Sequence, residues 1–518
     1  MFTGIKSLLI KKYSILIFFL ILILASFLRL NKISDYMTFL GDEGRDVLVV
    51  REILKGDLTL LGPRASAADF YLGPIYYYFM APFLFFSNYH PVGPAIMVAL
   101  FGIATVFFIF KIGKEFFGDF AGLLAAALYA VSPLVIIHSR SSWNPNIWPF
   151  FSILTLYFAY KGVEYKNLKF LALSGLLLGI ALQLHYLSIF LGGILVFFLL
   201  FSVLFSNKKA RNYILLAKGY LALLLGFVFG FSPFLFFEIR HSFPNTKTII
   251  NFIFFSGNVS GSGNFKEIID NVFFRLFGRL ITNYPQPEQV SVSTDTIAAI
   301  GFYLTLLLGI SSSLFVVYKF IETRSSKFLL ISLWLILGVL FFGLYKKPIY
   351  DYYLGFMFPL PFLLTGALFS SLFNKNIFWK AIAIASFTFL FYINLTNGPL
   401  KYPPNAQYEQ VKMISEFILK KTEGKPFNFA LITGGNSDHA YRYIFETEGY
   451  HPITIQNPQI DPERRSVTDQ LLVICEENPC QPLGHSLWEV AGFGRAEIAG
   501  EWQVSVLKVY KLVHYKGG

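Results

Sequence analysis

The sequence predicts a polytopic α-helical membrane protein of about eleven spans that carries a small C-terminal extracytoplasmic α/β domain. Three observations point there. Of the 518 residues, 55% are hydrophobic and only 14% charged, with a mean hydropathy of +0.56. That is more apolar surface than a soluble core of this length can hide, so most of it faces lipid. Apolar runs of spanning length, roughly 17 to 25 residues, recur from Ile15 to Leu395. Beyond Asn397 the hydropathy collapses and a soluble segment begins.

The N-terminus has a basic start (Lys6, Lys11, Lys12) and an apolar run ending near Leu30. No small-residue cleavage site is well placed, which predicts an uncleaved first helix. Basic clusters then recur once per pair of apolar runs: Lys111/Lys114, Lys161/Lys166/Lys169, Lys208/Lys209/Arg211, Lys319/Arg324/Lys327 and Lys375. Positive charge collects on cytoplasmic loops, so these loops are expected inside, with the N-terminus cytoplasmic and the C-terminus outside. The net charge of +12 is thereby a topology signal, and nucleic acid is not an expected partner. Phe70–Phe86 is apolar enough to count as a span, yet counting it inverts most later loops. It also contains Pro74 and Pro82, which interrupt helical hydrogen bonding. An interfacial or re-entrant helix is predicted there. Gly175/Gly179 and Gly226/Gly230 are expected to be close helix-packing points.

Within the soluble segment, a helical pattern covers Gln407 to Lys420, and strand-like runs follow at Phe427–Thr433, Leu471–Cys475 and Val504–Leu512. The expected division is a membrane-embedded domain over 1–396 and an extracytoplasmic α/β domain over 397–518. Cys475 and Cys480, the only cysteines, fall on the oxidising side, where a disulfide and two free thiols are both open readings.

Polar residues that can carry chemistry gather in the expected outer loops. Gly41-Asp42-Glu43-Gly44-Arg45-Asp46 opens an amphipathic stretch, with Val47, Val50, Ile53 and Leu54 on one side and Arg45, Asp46, Arg51 and Glu52 on the other. A carboxylate near lipid is suited to act as general base toward an acceptor hydroxyl, and Asp42 is the candidate. The competing reading is a helix start, where acidic side chains favour the dipole and cap free N–H groups. A second cluster runs from His138 to Trp148: Trp143 offers a sugar-stacking face, Asn144 and Asn146 amide hydrogen bonds, and Arg140 an anion contact. Its alternative is an aromatic belt with a proline turn. Arg240, His241, Lys346 and Lys347 are outer-side cations against the positive-inside trend, for which an anionic partner or lipid phosphates would account. No Walker A, His-Glu-x-x-His, Gly-x-Ser-x-Gly or Cys-x-x-Cys pattern occurs. The Ser260–Asn264 run is expected to be a loop.

Asp42-Glu43-x-Arg45 after the first span, Leu72-Gly73-Pro74-Ile75-Tyr76-Tyr77-Tyr78, and Phe116-Phe117-Gly118 before a span ending Ser132-Pro133 resemble the family 39-type, membrane-embedded GT-C glycosyltransferases. This family includes protein mannosyltransferases and the aminoarabinose transferase of lipid A. The resemblance covers roughly Ile15 to Leu395, and Glu238-Ile239-Arg240-His241-x-Phe243-Pro244-Asn245 resembles a bacterial subgroup. It implies transfer of a sugar from a polyprenyl-phosphate donor to a lipid, glycan or protein acceptor at the outer face of the plasma (inner) membrane. Asp42 would take the acceptor proton, with inversion at the anomeric carbon, and Glu43, Trp143, Asn144 and Asn146 would support the acceptor. Arg45, Arg64, Arg140, Arg240, His241 and Lys346 or Lys347 would meet the leaving phosphate. Two departures stand out. Where many relatives have Lys before the first proline of the juxtamembrane segment, this chain has Leu72-Gly73-Pro74, which shifts any phosphate contact there to another cation such as Arg64. Where relatives often have Asp in the second outer loop, Asn144 and Asn146 stand. Amides are poor hard-cation ligands, so no metal or other cofactor is implied, and a divalent cation is an unsupported reading.

The rival classes are a lipid-linked-sugar transporter or flippase and a cell-envelope assembly protein anchored by its spans. A transporter favours charges inside spans and inverted repeats, whereas here the ionisable residues sit mainly in outer loops. An anchor needs one or two spans, not about eleven.

Overall fold

The computed structural model describes residues 2–65, 69–205, 212–254, 264–286, 289, 295–345 and 347–517. Along the chain the helices are α1 (Phe2–Leu30), α2 (Ile33–Tyr36), α3 (Gly41–Lys55), α4 (Ile75–Phe86), α5 (Val92–Phe117), α6 (Asp119–Val131), α7 (Pro133–His138), α8 (Trp148–Glu164), α9 (Leu168–Leu184) and α10 (Ser188–Leu204). They continue as α11 (Tyr213–Arg240), α12 (Pro244–Phe254), α13 (Phe265–Gly278), α14 (Thr296–Thr323), α15 (Ser326–Phe342), α16 (Pro359–Phe373), α17 (Ile377–Thr396), α18 (Gln407–Thr422), α19 (His439–Thr447) and α20 (Trp488–Phe493). The chain divides into two compact units. Unit one comprises Met1–Asn31, Leu58–Met80 and Ala95–Pro403; unit two comprises Lys32–Asp57, Ala81–Pro94 and Pro404–Gly518.

Unit one is the multi-pass helical body. Among the described residues, five helices are long and apolar enough to cross a bilayer: α1 from Tyr13, α5, α11, α14 and α17. A sixth is available if the bent pair Asp351–Met357 and α16, which meet at 59°, counts as one broken span. Most of the remaining apolar helices have 17 residues or fewer, so length alone does not fix the expected figure of about eleven. At ~1.5 Å per residue, 17 residues give ~26 Å, at the lower end of what spans a ~30 Å hydrocarbon core. The 12-residue α4, interrupted by Pro82, is shorter still, and the same arithmetic leaves it unable to cross. The most extensive packing joins α9 and α11. A Cβ on Gly175 would fall 1.9 Å from the Leu223 carbonyl oxygen, and one on Gly226 would fall 1.9 Å from that of Ala172. The two backbones therefore touch, as the glycine spacing predicts. The basic loop at Lys208, Lys209 and Arg211 and the Ser260–Gly263 run lie outside the described residues.

Unit two is built on a four-stranded sheet of order β1-β2-β4-β3, with β1 Asn428–Ile432, β2 Gln470–Cys475, β3 Ala496–Val504 and β4 Leu507–His514. β1 and β2 run parallel across the α19 crossover, while β4 pairs antiparallel with both β2 and β3. Ala430, Ile432, Leu471, Val473, Tyr510 and Leu512 fill the core on one face. α18 and the first two strands lie where the pattern predicts them. The single run expected at Val504–Leu512 is instead a hairpin, turning at Ser505 with φ 52°. β3 escapes a periodicity search because it is an edge strand, mostly exposed and bulged between Ile498 and Gly500. Cys475 and Cys480 are disulfide-bonded, so the thiol alternative does not hold.

Candidate active site

The helix carrying Asp42 belongs to unit two and begins under an unusual cap. Leu40, at the N-cap position, has no side-chain oxygen to offer the first turn. The Leu40 N–H donates to Glu43 Oε2 at 3.1 Å. The Gly41 N–H donates to the side-chain oxygen of Asn436, 395 residues away, at 2.9 Å. The helix closes at Gly56, whose φ of 106° suits only glycine. α3 packs on α19 at main-chain distance: a Cβ on Gly44 would lie 2.3 Å from the Ala440 nitrogen. Val47, Val50 and Ile53 are buried as expected. Asp46 and Arg51, expected on the exposed polar side, are buried too. Each has an ionic partner, Arg45 for Asp46 and Glu446 for Arg51, because α19 covers that side of the helix.

Asp42 stands in the first turn with its side chain 49% exposed. Arg45 Nη1 donates to its Oδ1 at 2.9 Å, while Arg45 Nε and Nη2 reach Asp46 Oδ1 at 2.9 and 2.7 Å. Arg45 thus holds the Asp42 carboxylate in place through a shared guanidinium. Glu43 points the other way and is buried. Burial, with the Asp42 and Asp46 charges behind it, pushes its carboxyl up to about 7 against a donated backbone bond from Leu40. Two adjacent carboxyls therefore have unlike environments: one open and clamped, one buried and readily protonated. His439, at the start of α19, feels both Arg45 and Asp42, and burial holds its imidazole below the usual histidine range.

Unit one holds a cavity of about 390 Å³. Its walls include Phe70, Leu72, Phe190, Phe231, Phe234 and Phe341, with Tyr186, Tyr345 and Lys347 also lining it. The Tyr186 and Tyr345 hydroxyls are 2.6 Å apart. The Glu238-to-Asn245 motif, singled out in the sequence for its cations, has a structural role there that the sequence did not suggest. The buried Glu238 carboxylate accepts from Asn245 Nδ2 at 2.8 Å and from the Thr246 N–H and hydroxyl at 2.8 and 2.6 Å. Asn245 Oδ1 in turn accepts the Tyr71 N–H at 2.8 Å. The Glu238-to-Asn245 motif is therefore a latch on the Phe70–Gly73 segment, closing through a polar pair seven residues apart.

The other predicted site residues of unit one divide by burial. Arg64 is exposed and paired with Asp69 at 2.9 Å. Arg240 and His241 are exposed at the end of α11, with the His241 ring stacked on Phe237 at 4.2 Å. Lys346 lies outside the described residues. Arg140 is buried and donates to the Leu28 and Asn31 carbonyls, both at 2.7 Å. It clamps the end of α1, and this departs from the anion contact expected of it. Asn144 is buried with Nδ2 on the Leu184 carbonyl at 2.6 Å, and Asn146 Nδ2 reaches the Ser141 carbonyl at 2.9 Å, so the first ties the turn to the end of α9 and the second closes the turn itself. Trp143 lies against Tyr352, ring centroids 4.5 Å apart. Asp351 is buried between Arg275 and Arg279, each at 2.8 Å. His185 stacks on Trp148 at 4.4 Å. Among the described residues, no group of three His, Cys, Asp or Glu side chains is placed to hold a metal ion.

Residues 72–237 match the family model described as dolichyl-phosphate-mannose-protein mannosyltransferase. The fold is similar to that of ArnT from Cupriavidus metallidurans bound to undecaprenyl phosphate, with a TM-score of 0.62 at 13% identity over 96% of this chain and 97% of that one. The apo state of the same protein gives 0.59 at 12% identity over 99% and 98%. The archaeal oligosaccharyltransferase AglB from Archaeoglobus fulgidus, in complex with an inhibitory peptide and a dolichol-phosphate, gives 0.52 at 14% identity over 89% of this chain and 69% of that one. No curated protein matches the sequence.

Proposed function

We propose that this chain, a GT-C-fold membrane glycosyltransferase, moves a sugar from a polyprenyl-phosphate donor to an acceptor hydroxyl at the outer face of the membrane, with inversion. The cavity of unit one carries the reading. An isoprenoid chain needs a long apolar lining that excludes water, and its phosphate needs a cation and hydroxyl donors. Lys347, Tyr186 and Tyr345 supply these beside the Phe-rich wall. Arg64, Arg240, His241 and Lys346 are further candidates for the phosphate. The mannosyltransferase match and the lipid phosphates bound in the ArnT and AglB structures agree with this choice of donor.

In unit two, Asp42 is the proposed base. Its carboxylate takes the proton of the acceptor hydroxyl as that oxygen attacks the anomeric carbon. The bond to the phosphate oxygen breaks, and polyprenyl phosphate leaves with the electron pair. Arg45 holds the carboxylate, and Glu43, protonated below about pH 7, keeps a second negative charge away from it. Trp143, with Asn144 and Asn146 shaping its turn, is a proposed acceptor-side surface. The acceptor class is a lipid, glycan or protein. Charge bookkeeping favours a plasma (inner) membrane protein with a cytoplasmic N-terminus, about eleven spans, residues 1–396 mainly in the membrane and 397–518 outside it.

The test is transfer by the purified protein in nanodiscs, supplied with cell-envelope lipid, glycan and protein fractions as acceptors and with undecaprenyl-phosphate-linked mannose, glucose, galactose and aminoarabinose in turn. The expected result is release of undecaprenyl phosphate from one of them, with the product inverted at the anomeric carbon. No release from any of them, together with movement of intact sugar lipid across a proteoliposome bilayer, would establish the flippase alternative instead.

A further inference from the structure

The C-terminal module does more than cover the base-bearing helix: it supplies that helix with its cap. At the carboxyl end of β1 the chain continues as Thr433-Gly434-Gly435-Asn436-Ser437 before α19. The Asn436 side-chain oxygen accepts two backbone bonds, from Gly41 and from Ser437, each at 2.9 Å. Its amide nitrogen donates to Glu476 Oε1 at 3.1 Å, and Thr433 Oγ1 donates to Glu476 Oε2 at 2.7 Å. An ionised carboxylate only accepts, so Glu476 fixes which end of the Asn436 amide faces Gly41. Glu476 is held in turn. It follows directly on Cys475, the last residue of β2, which is bonded to Cys480, and its N–H donates to the Ile432 carbonyl at 2.9 Å.

We infer that Asn436, oriented by Glu476, is a positioning residue for Asp42: it caps the first turn of α3 in place of Leu40 and so fixes where the Asp42 carboxylate stands. The inference rests on the reading of Asp42 as the base. The Gly41 spacing supports it, since a Cβ there would lie 2.1 Å from Ser437 Oγ and 2.9 Å from Asn436 Oδ1. Only a residue without a side chain lets the Asn436 loop reach the helix end.

The test exchanges the polarity of the pair. Asn436→Asp alone keeps an acceptor for Gly41 but sets two carboxylates face to face, whereas Asn436→Asp with Glu476→Gln restores a donor to that contact. Two quantities are read on wild type, the single variant, the double variant and Asp42→Asn. One is hydrogen exchange in the peptide covering residues 40–48. The other is the rate of undecaprenyl phosphate release per folded molecule, from whichever of the four undecaprenyl-linked sugars the wild type uses best. Asn436→Asp is expected to speed exchange and to lower kcat about tenfold or more with KM for the donor nearly unchanged. The double variant is expected to return both to within about threefold of wild type. Unchanged exchange in Asn436→Asp would overturn the cap. Faster exchange with a wild-type kcat, while Asp42→Asn is inactive, would overturn the positioning role and leave the base standing. A loss of folded protein with normal kcat per folded molecule would mark Asn436 as merely structural. Activity retained in Asp42→Asn would remove the base itself, and with it the positioning role, whatever the exchange data show.

Discussion

The cavity in unit one is walled by phenylalanines and has Lys347 as its one lining cation among the described residues. The first turns of α3 in unit two instead place Asp42 and Asp46 on a single guanidinium, with Glu43 buried next to them. Apolar contact is non-directional, so a wall of rings can receive a long flexible chain without fixing any atom of it. A proton-transfer group has to be fixed to within a fraction of an ångström, and each hydrogen bond around it is specified by a partner. Lipid affinity and chemical rate should therefore respond to different substitutions.

The sharpest structural break falls on α3. Gly44→Val would drive a side chain into the Ala440 backbone and is expected to cost about 1–3 kcal/mol, read as a lower thermal midpoint of the purified protein. Lys347→Ala should raise KM for the undecaprenyl-linked donor about tenfold while kcat stays within about twofold, since a contact made equally in ground and transition states changes only binding. A larger effect on kcat than on KM would move Lys347 from binding into the chemistry. A third expected effect is a pH dependence of stability. The Glu43 carboxyl rises from 4.5 to about 7 on folding, so the folded state holds that proton more tightly. Its stabilising contribution is complete below about pH 4.5 and is lost as pH rises through 7. Denaturant titrations between pH 5 and 8 should show wild type weakening with pH and Glu43→Gln weakening less. A steeper fall in Glu43→Gln would contradict the assignment.

Much of the fold was legible because its signals are local. Apolar run length and basic loops mark the helical body, the Gly175 and Gly226 spacings mark the α9–α11 contact, and Gln407–Lys420 marks α18. What escaped depends on neighbours far away in sequence. β3 is an exposed, bulged edge with no clean alternation, and α19 has only nine residues. Asp46 and Arg51 read as solvent-facing until α19 covers them. Arg140 read as an anion contact because its type is right for one, while its burial against the Leu28 and Asn31 carbonyls is a tertiary fact. Asp42 was legible as a candidate from its place after the first span, but its cap was not, since the oxygen that supplies it lies 395 residues downstream.

The separation of binding from chemistry is tested most directly on one preparation of Asp42→Asn. Undecaprenyl phosphate affinity and the single-turnover rate of sugar transfer are measured on the same folded sample. The prediction is affinity within about twofold of wild type and a transfer rate lower by about 10²-fold or more. Near-normal transfer by Asp42→Asn would contradict it.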